Sequence, residues 1–179
     1  MGTGNLVLQP VNPATTIGLG DGAPGTFNLD AAELATIGNG FNSLTFGRAD
    51  GSGLISLGTA TFQDPVVFRS PGSSGLNLSG NLSGVDNVAF TFDVPVTLTA
   101  DSSVNITSGN IVFNQSVNGG FALTTASPAG QVIFNSPVGS SSPLTRLIAV
   151  ADQLQVNTPI MVVDNLNLSG SNGTAIAAG

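Results

Sequence analysis

The sequence contains no cysteine, histidine, lysine, tryptophan or tyrosine. Without cysteine there is no disulfide scaffold and no thiolate metal site, and either redox compartment is permitted. Without histidine or lysine, a serine or threonine nucleophile has no ordinary base beside it, which argues against triad hydrolysis. The only cations are Arg48, Arg69 and Arg146, set against nine aspartates and Glu33, for a net charge of −7. Such a surface repels phosphate backbones, so no nucleic-acid partner is expected. No run reaches the roughly 18 apolar residues of a membrane span, so no membrane insertion is expected. No basic and then apolar export signal opens the chain either.

Charge is scarce altogether, at 7% of residues against about a quarter in an ordinary globular domain. Glycine, serine, threonine and asparagine take its place, which suits tight turns and the outward faces of strands. Hydrophobic residues make up 41%, too many for a disordered chain. The composition is that of an ordered, β-rich and turn-rich protein. The lack of lysine beside abundant Thr, Ser and Asn points to an extracellular surface. Met1-Gly2-Thr3 reads as an added start, so the 179 residues are expected to be a piece of a longer protein.

One phrase recurs. It runs Phe62-Gln-Asp-Pro-Val66, Phe92-Asp-Val-Pro-Val96, Phe113-Asn-Gln-Ser-Val117, Phe134-Asn-Ser-Pro-Val138 and Val156-Asn-Thr-Pro-Ile160, with leading residues 30, 21, 21 and 22 positions apart. A period near 21 with short strand phrases in each repeat is the signature of a solenoid. From residue 92 onward each period holds about three alternating segments separated by Gly, Ser, Asn or Asp, which predicts a three-sided parallel β-helix with Phe, Leu, Ile and Val inside. Phe92, Phe113, Phe134 and Val156 are expected to form one inward column, with Phe62 extending it. The next residues, Asp93, Asn114, Asn135 and Asn157, are expected to form a ladder along the axis, since stacked rungs repeat every ~4.8 Å.

The chain reads as a single solenoid domain over 1–179, with irregular, helix-bearing rungs over 1–75 and regular rungs over 76–179. At this period it holds about eight rungs, a rod of about 40 Å. Asp30-Ala-Ala-Glu33 is a capping box. With Leu34, Ile37 and the stop at Gly38, it predicts a short helix over 31–37, apolar side toward the coil. The long interval from Phe62 to Phe92 predicts an insertion near Pro71–Gly75 or Gly84–Asn87.

Residues 26–72 carry a further pattern: a helical phrase leading into Gly40-Phe41, the turn Gly47-Arg-Ala-Asp-Gly-Ser-Gly53, Phe62-Gln-Asp-Pro-Val66 and Arg69-Ser-Pro-Gly72. This quarter of the chain resembles a recurring unit of filamentous-haemagglutinin-like adhesins, very large secreted bacterial β-solenoid proteins. The resemblance implies a right-handed parallel β-helix displayed at the bacterial cell surface, and it implies no catalytic residue. The chain departs from that family in lacking its N-terminal secretion module.

Chemistry-bearing residues are few. Asp93 with Asp101, or Asp152 with Asp164, would suit a carboxylate pair acting on glycosides, but aspartate at turns more commonly bonds its own backbone. A lyase with an arginine base at Arg69 or Arg146 is a weaker form of the same idea. In the turn Arg48-Ala-Asp50, Asp50 would serve calcium together with Asp21 only if the Gly-Gly-x-Gly-x-Asp array were present, and it is not. A structural Arg48–Asp50 pair is expected instead, the planar guanidinium gripping a carboxylate and backbone carbonyls together. The sequons at Asn77, Asn81, Asn105, Asn114, Asn167 and Asn172 are what chance supplies in such a composition.

No catalytic, cofactor or metal site is therefore expected, and no enzyme. The leading expectation is a structural or adhesive segment of a secreted, cell-surface β-solenoid protein. Its partners would be a host or neighbouring-cell surface or glycan, or further copies of itself, end to end or side by side. The alternatives are a carbohydrate-binding or carbohydrate-active β-helix module and a self-assembling extracellular fibre subunit.

Overall fold

A computed structural model describes residues 3–72, 74–85 and 88–176. The chain enters with β1 (Asn5–Leu8), passes through β2 (Ile17–Leu19) and β3 (Phe27–Leu29), and reaches α1 (Ala31–Ala35). Then come β4 (Ser43–Gly47), β5 (Ile55–Leu57) and β6 (Ala60–Phe62), followed by β7 (Val66–Arg69), β8 (Leu76–Leu78) and β9 (Asn81–Gly84). The next turns are β10 (Phe90–Asp93), β11 (Val96–Leu98) and β12 (Ser102–Ile106), then β13 (Asn110–Phe113) and β14 (Val117–Asn118). Three long strands complete the chain: β15 (Ala122–Phe134), β16 (Leu144–Val156) and β17 (Val162–Ile176).

The named strands pair only in parallel, and the pairings resolve into three faces. The first stacks β1, β4, β7, β10 and β13, then the C-terminal segments of β15, β16 and β17. The second stacks β3, β2, β5, β8, β11 and β14 and continues through single bridges at Val138 and Ile160. The third stacks β6, β9, β12 and the N-terminal segments of β15, β16 and β17. Each of the long strands turns a corner from the third face to the first, and register shifts mark that corner. The protein is an all-β parallel solenoid of about six turns with ~21 residues per rung. Six is fewer than the eight rungs the period suggests, because residues 9–42 go largely into connections, β3 and α1 instead of complete turns.

A parallel strand feeds its inward residues into columns. Phe46, Phe68, Phe92, Phe113, Phe134 and Val156 occupy one such column by strand register. All six are essentially inaccessible to solvent. Their rings stack with centroids 6.2 Å (Phe46–Phe68), 5.2 Å (Phe68–Phe92), 4.6 Å (Phe92–Phe113) and 5.1 Å (Phe113–Phe134) apart. Offset stacking of this kind adds about 0.5–1.5 kcal/mol per pair to the burial itself.

Phe62 does not extend the column. It lies in β6 on the third face and meets Phe46, Phe68 and Phe90 edge-on at 5.9, 6.2 and 5.7 Å. The phrase Phe62-Gln-Asp-Pro-Val66 imitates the others because it too turns a corner into an apolar strand, but the rung member here is Phe68. Measured from Phe68, most of the apparent insertion disappears. The remaining extra residues fall between β7 and β8, in the loop that contains Pro71–Gly75. Of the alternative site at Gly84–Asn87, Asp86 and Asn87 lie outside the described residues.

The helix closes the N-terminal end. Asp30 accepts a hydrogen bond from the Glu33 amide (2.8 Å) and Glu33 accepts one from the Asp30 amide (3.1 Å), completing the capping box. Leu34, 4% exposed, enters the core, and α1 packs against β3 and β6. Leu6, Leu8, Phe27, Leu29, Ile37 and Phe41 settle on the same core from around it. The helix is a lid on the first complete turn, standing where the preceding turn would have placed a strand of the third face.

Candidate functional site

Immediately after each member of the phenylalanine column stands an outward residue, and these form a second column one position along. Arg69 donates to Asp93 (3.1 Å), Asn114 to Asp93 (2.6 Å), Asn135 to Asn114 (2.9 Å) and Asn157 to Asn135 (2.8 Å). Gln155 then donates to Asn157 (3.0 Å). Each amide nitrogen points toward the N-terminal end and each amide oxygen receives the next, so the dipoles add along the axis. The Arg69–Asp93 ion pair closes the N-terminal end of this chain of bonds, where an amide in place of Asp93 would turn a donor toward the Arg69 guanidinium. One rung further toward that end the column holds Gly47, whose φ of 101° and approach to the Arg69 carbonyl leave no room for a Cβ.

Next to Gly47, Arg48 grips Asp50 through two nitrogens (2.8 and 3.0 Å). It also donates to the carbonyls of Pro10 (3.2 Å) and Val11 (3.0 Å). The pair clamps the glycine-rich turn to the loop after β1. The Arg48 guanidinium lowers the Asp50 pKa below the usual carboxylate range, and Asp50 in turn raises that of Arg48. Asp21, the other residue weighed for calcium, accepts a hydrogen bond from the Ala31 amide at the start of α1 (3.2 Å). The two aspartates thus serve different turns.

Among the described residues, the remaining carboxylates do not converge. Asp93 belongs to the ladder on the first face, while Asp101 accepts from the Ala122 amide (2.9 Å) before the third. Asp152 accepts from Ser171 (3.0 Å) and from Asn172 at the corner between the third and first faces, whereas Asp164 lies on β17. Arg69 is committed to Asp93, and Arg146 stands exposed on β16. Among the described residues, no three His, Cys, Asp or Glu side chains gather as a metal site.

Two features escaped the sequence. Asp64 is buried, with one oxygen accepting from the Gly40 amide (2.9 Å), and so it fastens the exit of the helix to the coil. Its signal was the Asp-Pro that departs from the other phrases. Phe46 and Phe68 were missed as column members. The pattern that finds them is apolar-x-aromatic, as in Leu44-x-Phe46, Val66-x-Phe68, Phe90-x-Phe92, Ile111-x-Phe113 and Val132-x-Phe134.

Two surfaces remain open. A groove of about 250 Å³ on the outside is lined by Gln131, Gln153, Gln155, Asn172 and Thr174, with Gln131 donating to Gln153 (2.7 Å). At the C-terminal end, among the described residues, β17 pairs only with β16. There Val156, Ile160, Leu166, Leu168 and Ile176 line a depression of about 310 Å³ that opens onto the interior of the coil. No helix of the described residues is long and apolar enough to cross a membrane. Compared with protein-family models, curated proteins and solved structures, the chain matches none.

Proposed function

We propose that this solenoid is a structural or adhesive segment of a secreted, cell-surface protein, a stalk or repeat module that works by shape, stiffness and repeated outer faces. The observation that carries the reading is the pair of continuous columns, aromatic inside and amide outside, that tie successive turns along the axis. Bending the rod would part stacked rings and ladder bonds together, so the residues that repeat most faithfully are those that stiffen it. The charge-poor, Asn-, Ser- and Thr-rich exterior and the adhesin-like phrases of residues 26–72 support an extracellular or bacterial surface location. The partner would be a host or neighbouring-cell surface or its glycans.

Beads coated with the protein should adhere to cultured cells, and the protein should leave a panel of polysaccharides uncleaved by reducing-end and unsaturated-product assays. Turnover of a polysaccharide, or beads that adhere no better than albumin-coated ones, would overturn this. Glycan binding without catalysis is the second reading, favoured by the amide-lined groove at Gln131, Gln153 and Gln155. A glycan array read with Gln153→Ala as control separates the two.

A further inference from the structure

We propose that the outer surface of the first face, over β10, β13 and the C-terminal segments of β15 and β16, binds a neutral, extended β-1,4-linked glycan. The glycan lies along the axis of the coil, one sugar to each turn. The inference rests on the glycan-binding reading and names the class of sugar, its direction and its place on the rod.

Three outward columns make this surface. The middle one holds Thr45, Val67, Thr91, Val112 and Ile133, in register from strand to strand and each half-buried. Their β-branched side chains form a continuous strip, and at β16 Gln155 takes the middle position. Two residues before this column stand Asn110, Gln131 and Gln153. Two residues after it stand Asn114, Asn135 and Asn157. At ~3.3 Å per residue, each amide column lies about 6.6 Å from the middle one.

The amides are held ready. Asn114, Asn135 and Asn157 each donate one N–H to the preceding turn and accept one bond from a later side chain. A primary amide has two N–H groups and two lone pairs. Each therefore keeps one of either kind for a ligand, in an orientation that the ladder fixes. On the opposite border, the bond from Gln131 to Gln153 (2.7 Å) does the same. Groups ordered beforehand lose little freedom when a ligand arrives.

A β-1,4-linked pyranose chain is a ribbon with C–H groups on its faces and hydroxyls along both edges. Its face suits a strip of methyl groups, and its edges suit amides on both sides. Successive turns stand ~4.8 Å apart, close to the length of one ring in such a ribbon. An α-linked chain coils instead and would leave the strip. Charge excludes acidic glycans: among the described residues of these columns only Arg69 and Asp93 are charged, they pair with each other (3.1 Å), and the chain as a whole carries −7.

Isothermal titration calorimetry of the 179-residue chain tests this with four hexasaccharides: cellohexaose, chitohexaose, maltohexaose and a β-1,4-linked mannuronate. Maltohexaose alters the linkage and the mannuronate adds charge. Binding is expected for one or both of the first two, and a preference between them tells whether the N-acetyl group takes part. Affinity should rise about tenfold or more from disaccharide to hexasaccharide as further turns are engaged. Ile133→Glu puts a charge on the strip and should weaken binding about tenfold or more. Thr97→Glu, exposed on the second face, should leave it unchanged. Gln131→Ala should weaken it about threefold or more, and it decides if Ile133→Glu does not fold. The proposal is overturned if neither cellohexaose nor chitohexaose binds, or if maltohexaose or the mannuronate binds equally well. Disaccharides that bind as tightly as hexasaccharides, or a folded Ile133→Glu variant that binds normally, would overturn it too. A protein that binds other glycans on the array but neither of these keeps the glycan reading and loses this one, so the two can fail apart.

Discussion

At the N-terminal end of the coil Leu34 is 4% exposed beneath its helix, while at the C-terminal end Ile176, the last residue in register with the phenylalanine column, is 61% exposed. Both are aliphatic side chains turned toward the same core. What separates them is a lid with a capping box at its start, a helix that ends at Thr36, and the buried Asp64 that ties the exit loop down. A solenoid turn buries its apolar residues only if something covers it on each side. The comparison shows that at the N-terminal end the covering is made by non-repeating sequence, apart from the rung wording that coils the rest.

The strongest way to test that comparison sets the middle of the rod against Ile176. Phe113→Ala removes a ring held between two others in a site of no solvent access, and should destabilise the protein by about 3–5 kcal/mol. Ile176→Ala truncates a residue of the same column where nothing lies above it, and should cost about 0.5 kcal/mol or less. Denaturant midpoints of the two variants check both. Equal losses would mean that Ile176 is covered in solution.

The lid itself comes next. Leu34→Ala should cost about 2–3 kcal/mol, the lower half of the range for buried leucine, because the site lies at an end and can collapse. Asp30→Ala should cost roughly 1 kcal/mol by removing the cap that starts the helix. Thermal melts with near-identical baselines would resolve both, and a neutral Leu34→Ala would show that the helix does not close the coil.

The ladder variant is of similar size to the cap. Asn135→Ala interrupts two amide bonds, to Asn114 and from Asn157. As these are partly exposed, the loss should be about 1 kcal/mol. The smallest effect belongs to the exposed Arg48–Asp50 clamp. Its carboxylate has a lowered folded-state pKa, so its contribution is present above the unfolded value near 4 and is lost as pH falls through the folded one. Asp50→Asn should leave stability unchanged in strong acid and reduce it slightly at neutral pH, as urea midpoints at the two conditions would show.

Much of this was legible in the sequence, and the reason lies in which features are local. The period, the inward Phe92, Phe113 and Phe134, the outward Asn114, Asn135 and Asn157, and the Asp30–Glu33 cap each follow from a few adjacent residues. Phe62 misled because two corners of the coil share the same apolar-then-proline wording, and only strand register distinguishes them. The exposure of Leu166 and Ile176 was illegible for a different reason. Leu166-Asn-Leu168 and Thr174-Ala-Ile176 are ordinary rung phrases, and a rung phrase specifies what a turn turns inward, not whether another turn lies over it.

Amide hydrogen exchange along the intact protein tests the central contrast most directly, since it reports how easily each segment opens. The segment Val162–Ile176 should exchange faster than residues 27–37 by about tenfold or more. Protection of Val162–Ile176 equal to or greater than that of residues 27–37 would contradict the contrast between the covered Leu34 and the exposed Ile176.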